Sequence, residues 1–170
     1  MRNRLAVSLF ILLAYAPSSG AEAWDVSAGA GFAYGTTLNS LDKDGIGGQV
    51  YGAIGLTDTM SLSASGTFLE HCVGSGAGFR IFNVGAGIIY NLDVLAIQPF
   101  AALRLGYLAR IEQESPVEGV SLSISIGFDY LLSESVTVGL GAEYLGLLTD
   151  FGAAPAHASF SLRFGFRLPH

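Results

Sequence analysis

The sequence predicts an all-β protein, an eight-stranded antiparallel up-and-down transmembrane β-barrel. Three observations lead there. Hydrophobic residues make up 51% of the 170-residue chain and charged residues only 13%, against a usual charged share of ~25%. No stretch of 18 or more apolar residues follows residue 20, so a membrane-spanning helix is not indicated. From Trp24 onward apolar and small or polar residues alternate with period two, the signature of strands. A lipid-facing chain without long apolar runs satisfies its backbone by closing a β-barrel.

The first element is an address. Arg2 and Arg4 precede the apolar stretch Leu5 to Leu13, and Ala21-Glu22-Ala23 is a small-x-small cleavage site. Residues 1–23 therefore read as a secretory signal peptide and 24–170 as the barrel. Without Arg2, Arg4 and Glu22 the remainder holds six basic and thirteen acidic residues, net −7. That acidity argues against nucleic acid as a partner. Cys72 is the single cysteine, so no internal disulfide forms.

Eight alternating runs follow, at about 24–38, 47–57, 60–70, 79–91, 96–109, 119–132, 136–148 and 157–168. Each reaches the ~9–11 residues that a tilted strand needs to cross a bilayer. The clearest are Val120-Leu122-Ile124-Ile126-Phe128-Tyr130 against Ser121-Ser123-Ser125-Gly127-Asp129, and Phe160-Leu162-Phe164-Phe166-Leu168 against Ser159-Ser161-Arg163-Gly165-Arg167. Ile81 and Ile89 blur the fourth run. The connections at 57–59, 92–95 and 133–135 are tight. Those at 39–46, 71–78, 110–118 and 149–156 are longer and hold Asp42, Lys43, Asp44, Glu112, Glu114, Glu118 and Asp150. Short turns on the periplasmic side and longer loops outside are the outer-membrane pattern.

The apolar face should meet lipid. A soluble barrel or sandwich would expose the other face, which ought then to be rich in charge; here it is mostly Ser and Gly. An eight-stranded interior is just wide enough for side chains, and small residues there leave space for a few large ones. Trp24, Tyr90, Phe128, Tyr130 and Phe166 fall at the periplasmic strand ends, and Tyr34, Phe68, Tyr107, Tyr144 and Phe160 near the opposite ends. Two rings of aromatics are what the two headgroup interfaces favour.

Parity places Arg104, Asp129, Glu143, Arg163, Arg167 and Asp25 in the lumen. Buried charges need partners, so these six are expected to form a salt-bridged plug, with Arg104 and Glu143 at similar heights, Glu143 and Arg163 on neighbouring strands, and Arg167, Asp25 and Asp129 near the periplasmic end. Arg80 falls outward near the outer interface, where it can snorkel. His71, His157 and His170 show no metal-ligand spacing. No phosphate-binding loop, G-x-S-x-G elbow or cofactor motif appears, so no catalytic, metal or cofactor residue is assigned. His157-Ala158-Ser159 looks like the H-x-S of outer-membrane lipid A deacylases. That family also needs a Glu later in the chain, and only Arg163 and Arg167 are charged after Ser159.

Pro99-Phe100-Ala101-Ala102-Leu103-Arg104-Leu105-Gly106-Tyr107, and then Gly127-Phe128-Asp129-Tyr130 with Val138-Gly139-Leu140-Gly141-Ala142-Glu143-Tyr144, resemble the strands of small eight-stranded outer-membrane barrels of Gram-negative bacteria, the OmpA, OmpX and OmpW type. Members usually end in an alternating aromatic strand with a terminal Phe; this chain ends Leu168-Pro169-His170. The resemblance implies outer-membrane lipid, the barrel-assembly machinery and periplasmic chaperones as partners. It also implies integral placement in a Gram-negative outer membrane. The expected function is a non-enzymatic, structural envelope role with a plugged polar lumen. The alternative is an OmpW-like narrow channel or conduit for small hydrophobic molecules; a lipid A-modifying enzyme is the less favoured third.

Overall fold

The computed structural model describes residues 25–38, 40–71, 78–92, 96–112, 116–149 and 156–168, with backbone alone for 40–43. Residues 1–23, Trp24, Cys72, Glu114, Asp150 and His170 lie outside these. The eight elements are β1 (Val26–Thr37), β2 (Ser40–Gly55), β3 (Met60–His71), β4 (Phe79–Asn91), β5 (Ile97–Ile111), β6 (Val117–Leu131), β7 (Val136–Leu147) and β8 (His157–Leu168). Each pairs antiparallel with its neighbours in sequence. The sheet closes where β1 meets β8, from Val26↔Leu168 to Thr37↔His157.

Alternation becomes two faces of one wall. Phe32, Ile46, Ile124, Ile126 and Phe164 stand exposed on the outside, Phe32 at 72%. Their strand neighbours Ala33, Ser123, Ser125 and Arg163 are buried inside. An exposed apolar belt of this extent would aggregate in water and is what a lipid-facing barrel requires. At one end, here called the turn end, lie the links 56–59, 92–96 and 132–135 and the strand ends Val26 and Leu168. Thr57 tightens the first of these: its Oγ1 accepts from the Met60 N–H at 3.0 Å, and the Leu56 N–H donates to the Met60 carbonyl at 2.8 Å. The longer connections lie at the other, loop end.

Two expectations change. The link expected at 39–46 is mostly strand, because β2 begins at Ser40 and pairs as Thr36↔Asp44 and Thr37↔Ser40, with a register shift between Thr36 and Thr37. The link expected at 110–118 shrinks, with β5 running to Ile111 and β6 starting at Val117. In both places the ladder continues past the apolar belt, where water solvates charge, so Asp44 and Glu118 sit in strand without an apolar alternation to announce it. The second change concerns the lumen, which is not polar throughout. Near the loop end Ala33, Leu69, Phe79, Ile81, Leu108, Leu145 and Leu147 form a buried apolar collar, and Ile89, Phe100 and Ala102 form a smaller cluster toward the turn end. Ile81 and Ile89, the residues that blurred the fourth run, belong to these clusters.

Candidate functional site

The site is the lumen, built from single inward residues of each strand. All six charges singled out in the sequence are there, as three ion pairs. At the turn end Arg167 of β8 meets Asp25, Nη2 to Oδ2 at 2.7 Å and Nε to the same oxygen at 3.0 Å. Deeper in, Arg163 of β8 meets Asp129 of β6 at 3.4 Å. One strand back along the same wall, Arg104 of β5 meets Glu143 of β7 at 3.6 Å. Arg163 thus takes Asp129 as its ion partner, not Glu143 of the adjacent strand.

Serines complete the network. Arg104 Nε donates to Ser63 Oγ at 3.2 Å and Nη1 to Ser125 Oγ at 2.8 Å, while Ser125 Oγ donates to Glu143 at 3.0 Å. Further up, Ser121 Oγ donates to Asn83 Oδ1 at 2.8 Å. Hydroxyls this small let an arginine lie flat across a lumen eight strands wide and still satisfy its donors.

Two aromatic side chains missed in the sequence reading hold Arg163 in place. Its guanidinium carbon lies 4.1 Å from the ring centre of Tyr51 and 4.1 Å from that of Phe100, a cation held between two π faces. The glycines explain how such rings fit. Tyr51 crosses the paired Gly29 and Gly165, where a Cβ on Gly165 would stand 2.8 Å from its hydroxyl. Phe100 crosses the paired Gly127 and Gly141, where a Cβ on Gly127 would stand 2.6 Å from Phe100 Cζ. A signal was present in the sequence: Tyr51 and Phe100 share inward parity with these glycines. A polar cavity of about 80 Å³ lies toward the turn end, lined by Asp25, Asp58, Arg104, Asp129 and Arg163 among others, with room for water.

The aromatic rings stand as follows. Tyr34, Phe68, Tyr107, Tyr144 and Phe160 are exposed toward the loop end; Phe128, Tyr130 and Phe166 are exposed toward the turn end, with Tyr90 half-buried. Trp24 is outside the described residues. Tyr34 lies beside Asp44, and Tyr107 beside Glu118. Arg80 points outward and is held by Glu70 at 3.0 Å. The His157 side chain is buried in the lumen, and neither of its ring nitrogens has a hydrogen-bond partner, so it makes no couple with Ser159. Among the described residues no three His, Cys, Asp or Glu gather as metal ligands.

No family model matches the chain, and no curated protein matches it in sequence. Solved structures do. Neisserial surface protein A is 18% identical over 89% of this chain and 100% of its own, with a TM-score of 0.66. The outer membrane protein OprG of Pseudomonas aeruginosa is 13% identical over 89% and 99%, TM-score 0.65. Ail, the attachment invasion locus protein of Yersinia pestis, is 15% identical over 85% and 99%, TM-score 0.63. The outer membrane enzyme PagL is also similar, at 19% identity over 83% and 97%, TM-score 0.51. The chain therefore has the fold of the small eight-stranded outer-membrane barrels. That fold carries more than one kind of function.

Proposed function

We propose that this protein is an integral barrel of a Gram-negative outer membrane with a structural role in the envelope and no catalytic activity. In this reading residues 1–23 are the export signal, the turn end faces the periplasm and the loop end faces out. The apolar belt is the anchor, and membrane lipid is its permanent partner. The barrel-assembly machinery and periplasmic chaperones act during biogenesis.

One observation carries the reading: the lumen is filled at two successive levels. The Arg104, Asp129, Glu143 and Arg163 network with Tyr51 and Phe100 fills the middle, and the apolar collar around Leu69, Leu108 and Leu145 fills the loop end. A conduit for small hydrophobic molecules needs an axial or lateral opening. The ladders between all neighbouring strands run through the belt without a gap among the described residues. The unbonded His157 speaks against a couple with Ser159 of the lipid A deacylase kind.

Two measurements test this. Membrane fractionation should place the protein in the outer membrane, with a gel mobility that shifts on boiling. Planar-bilayer recording should show no reproducible single-channel steps. Recovery as a soluble periplasmic protein, or regular steps from the unaltered chain, would refute the placement or the plug respectively.

A further inference from the structure

The outward face of the wall is not uniform. One row of the ladder runs Phe160, Tyr34, Ile46, Glu70, Arg80 across β8, β1, β2, β3 and β4. It begins with two exposed aromatics and ends in an exposed ion pair. On the turn-end side of this row Gly48 pairs with Phe32 on one neighbouring strand and with Phe68 on the other. Gly48 has no side chain, so the two phenyl groups stand on either side of a gap. An apolar groove of about 880 Å³ opens outward here, lined by Phe32, Tyr34, Ile46, Phe68 and Phe160 among others, with Glu70 at its loop-end rim. Small-molecule sites span ~300–1,000 Å³. At the rim the ion pair uses only one edge of each partner. Glu70 Oε1 accepts from Arg80 Nε at 3.1 Å and from Nη2 at 3.0 Å, which leaves Glu70 Oε2 and Arg80 Nη1 for a ligand. The Arg80 and Glu70 side chains are 60% and 50% exposed. An exposed pair contributes little to stability, so outside groups can share it. Asp44, the next outward residue of β2 beyond Ile46, is also exposed and lies beside Tyr34. Among the described residues the rim thus carries two carboxylates and one guanidinium.

We propose that this groove binds one glycerophospholipid whose headgroup is a phosphate ester of a primary amine, the phosphatidylethanolamine class. The inference rests on the outer-membrane reading and adds to it a lipid class and a place on the wall. An acyl chain lies in the gap between Phe32 and Phe68. The phosphate accepts from Arg80, a charge-assisted bond that a guanidinium makes well. The ammonium, two carbons further on, donates to Glu70. Depth agrees, because Tyr34, Phe68 and Phe160 belong to the loop-end aromatics, which sit at headgroup level, and the ion pair is level with or just beyond them. Charge makes the choice among lipids. An anionic headgroup sets its charge against Glu70 and Asp44 with a single cation in return. A trimethylammonium headgroup has no N–H to give Glu70. A primary ammonium beside a phosphate meets both members of the pair.

The test is native mass spectrometry of the folded full chain in detergent micelles. The probes are phosphatidylethanolamine, phosphatidylcholine and phosphatidylglycerol with identical palmitoyl and oleoyl chains, supplied as an equal mixture. One phosphatidylethanolamine should stay bound per barrel, preferred about tenfold over each of the others, the worth of one charge-assisted hydrogen bond. Glu70→Gln frees Arg80 from its carboxylate and should turn the preference toward phosphatidylglycerol, a gain that misfolding cannot imitate. Arg80→Gln should weaken phosphatidylethanolamine and phosphatidylcholine alike. Gly48→Leu, which fills the gap between Phe32 and Phe68, should lower retention of all three. Heat-modifiable gel mobility shows that each variant folds. Equal retention of the three lipids, stepwise uptake that does not level off at one, an unchanged preference in Glu70→Gln, or a dimer in place of the lipid adduct would overturn the site. Those results from a barrel that fractionates with the outer membrane would leave its placement standing, whereas recovery of a soluble protein would remove both.

Discussion

Ser125 Oγ accepts from Arg104 and donates to Glu143, so one hydroxyl links two charges whose direct separation is 3.6 Å. Removing Glu143 leaves Arg104 buried with no carboxylate of its own. Glu143→Ala should therefore destabilise the barrel by about 3–5 kcal/mol, the range for breaking a buried pair, read as a drop in the urea midpoint of the folded protein in lipid vesicles. Glu143→Gln, which can still accept from Ser125, should lose less. An unchanged midpoint in the alanine variant would contradict the pairing. Packing makes a separate demand at Gly127, where any side chain meets the Phe100 ring. Gly127→Val should cost roughly 1–3 kcal/mol by overpacking in the same measurement. Gly52 faces outward, and the nearest atom to a Cβ added there would be the Ser27 carbonyl oxygen at 3.4 Å, so Gly52→Ala should be tolerated.

A strand of this barrel answers to three environments along its length. In β6, Ile124 stands in the middle of the belt, 48% exposed, while Ser123 and Ser125 beside it face the network. Ile124→Arg should cost about 2–4 kcal/mol if the belt is in lipid, since that is the depth-dependent penalty at the bilayer midplane. Asp44→Arg, beyond the belt on β2, should change stability little in the same vesicle titration. Equal costs at the two positions would argue against the assigned depth. The same change of solvent explains why the strand boundaries were less legible than the strands. Alternation marks residues only where one side is lipid, so 47–57 was readable as strand and 40–46 was not.

At the scale of the molecule the lumen has two plugs in series, which sets an expectation for permeation. Arg163→Ala with Phe100→Ala opens only the middle level, and Leu69→Ala with Leu108→Ala opens only the collar. Either pair alone should stay electrically silent in planar bilayers, and the four changes together should give reproducible steps. Conduction from the collar variant alone would show that the ion-pair network does not block. Closure itself has an energetic role: the β1–β8 ladder leaves no unpaired sheet edge to meet lipid or another chain.

The sequence by itself determined the number of strands, which face turns outward, and which charges share the lumen. Period two is a local property, and one shift in parity would move every side chain to the opposite face. It also determined that Arg104, Asp129, Glu143, Arg163, Arg167 and Asp25 would need partners. Only the tertiary structure decided who pairs with whom, because partners such as Asp129 and Arg163 meet over Gly139 of the strand between them, a matter of register and side-chain reach, not of position along the chain. It likewise decided that Tyr51 and Phe100 lie on glycine pairs, that Leu69, Leu108 and Leu145 meet as a collar, and that the His71 and His157 rings come within 5.7 Å of each other. Each of these depends on closure of the sheet, which brings residues far apart in sequence to the same height of one narrow interior.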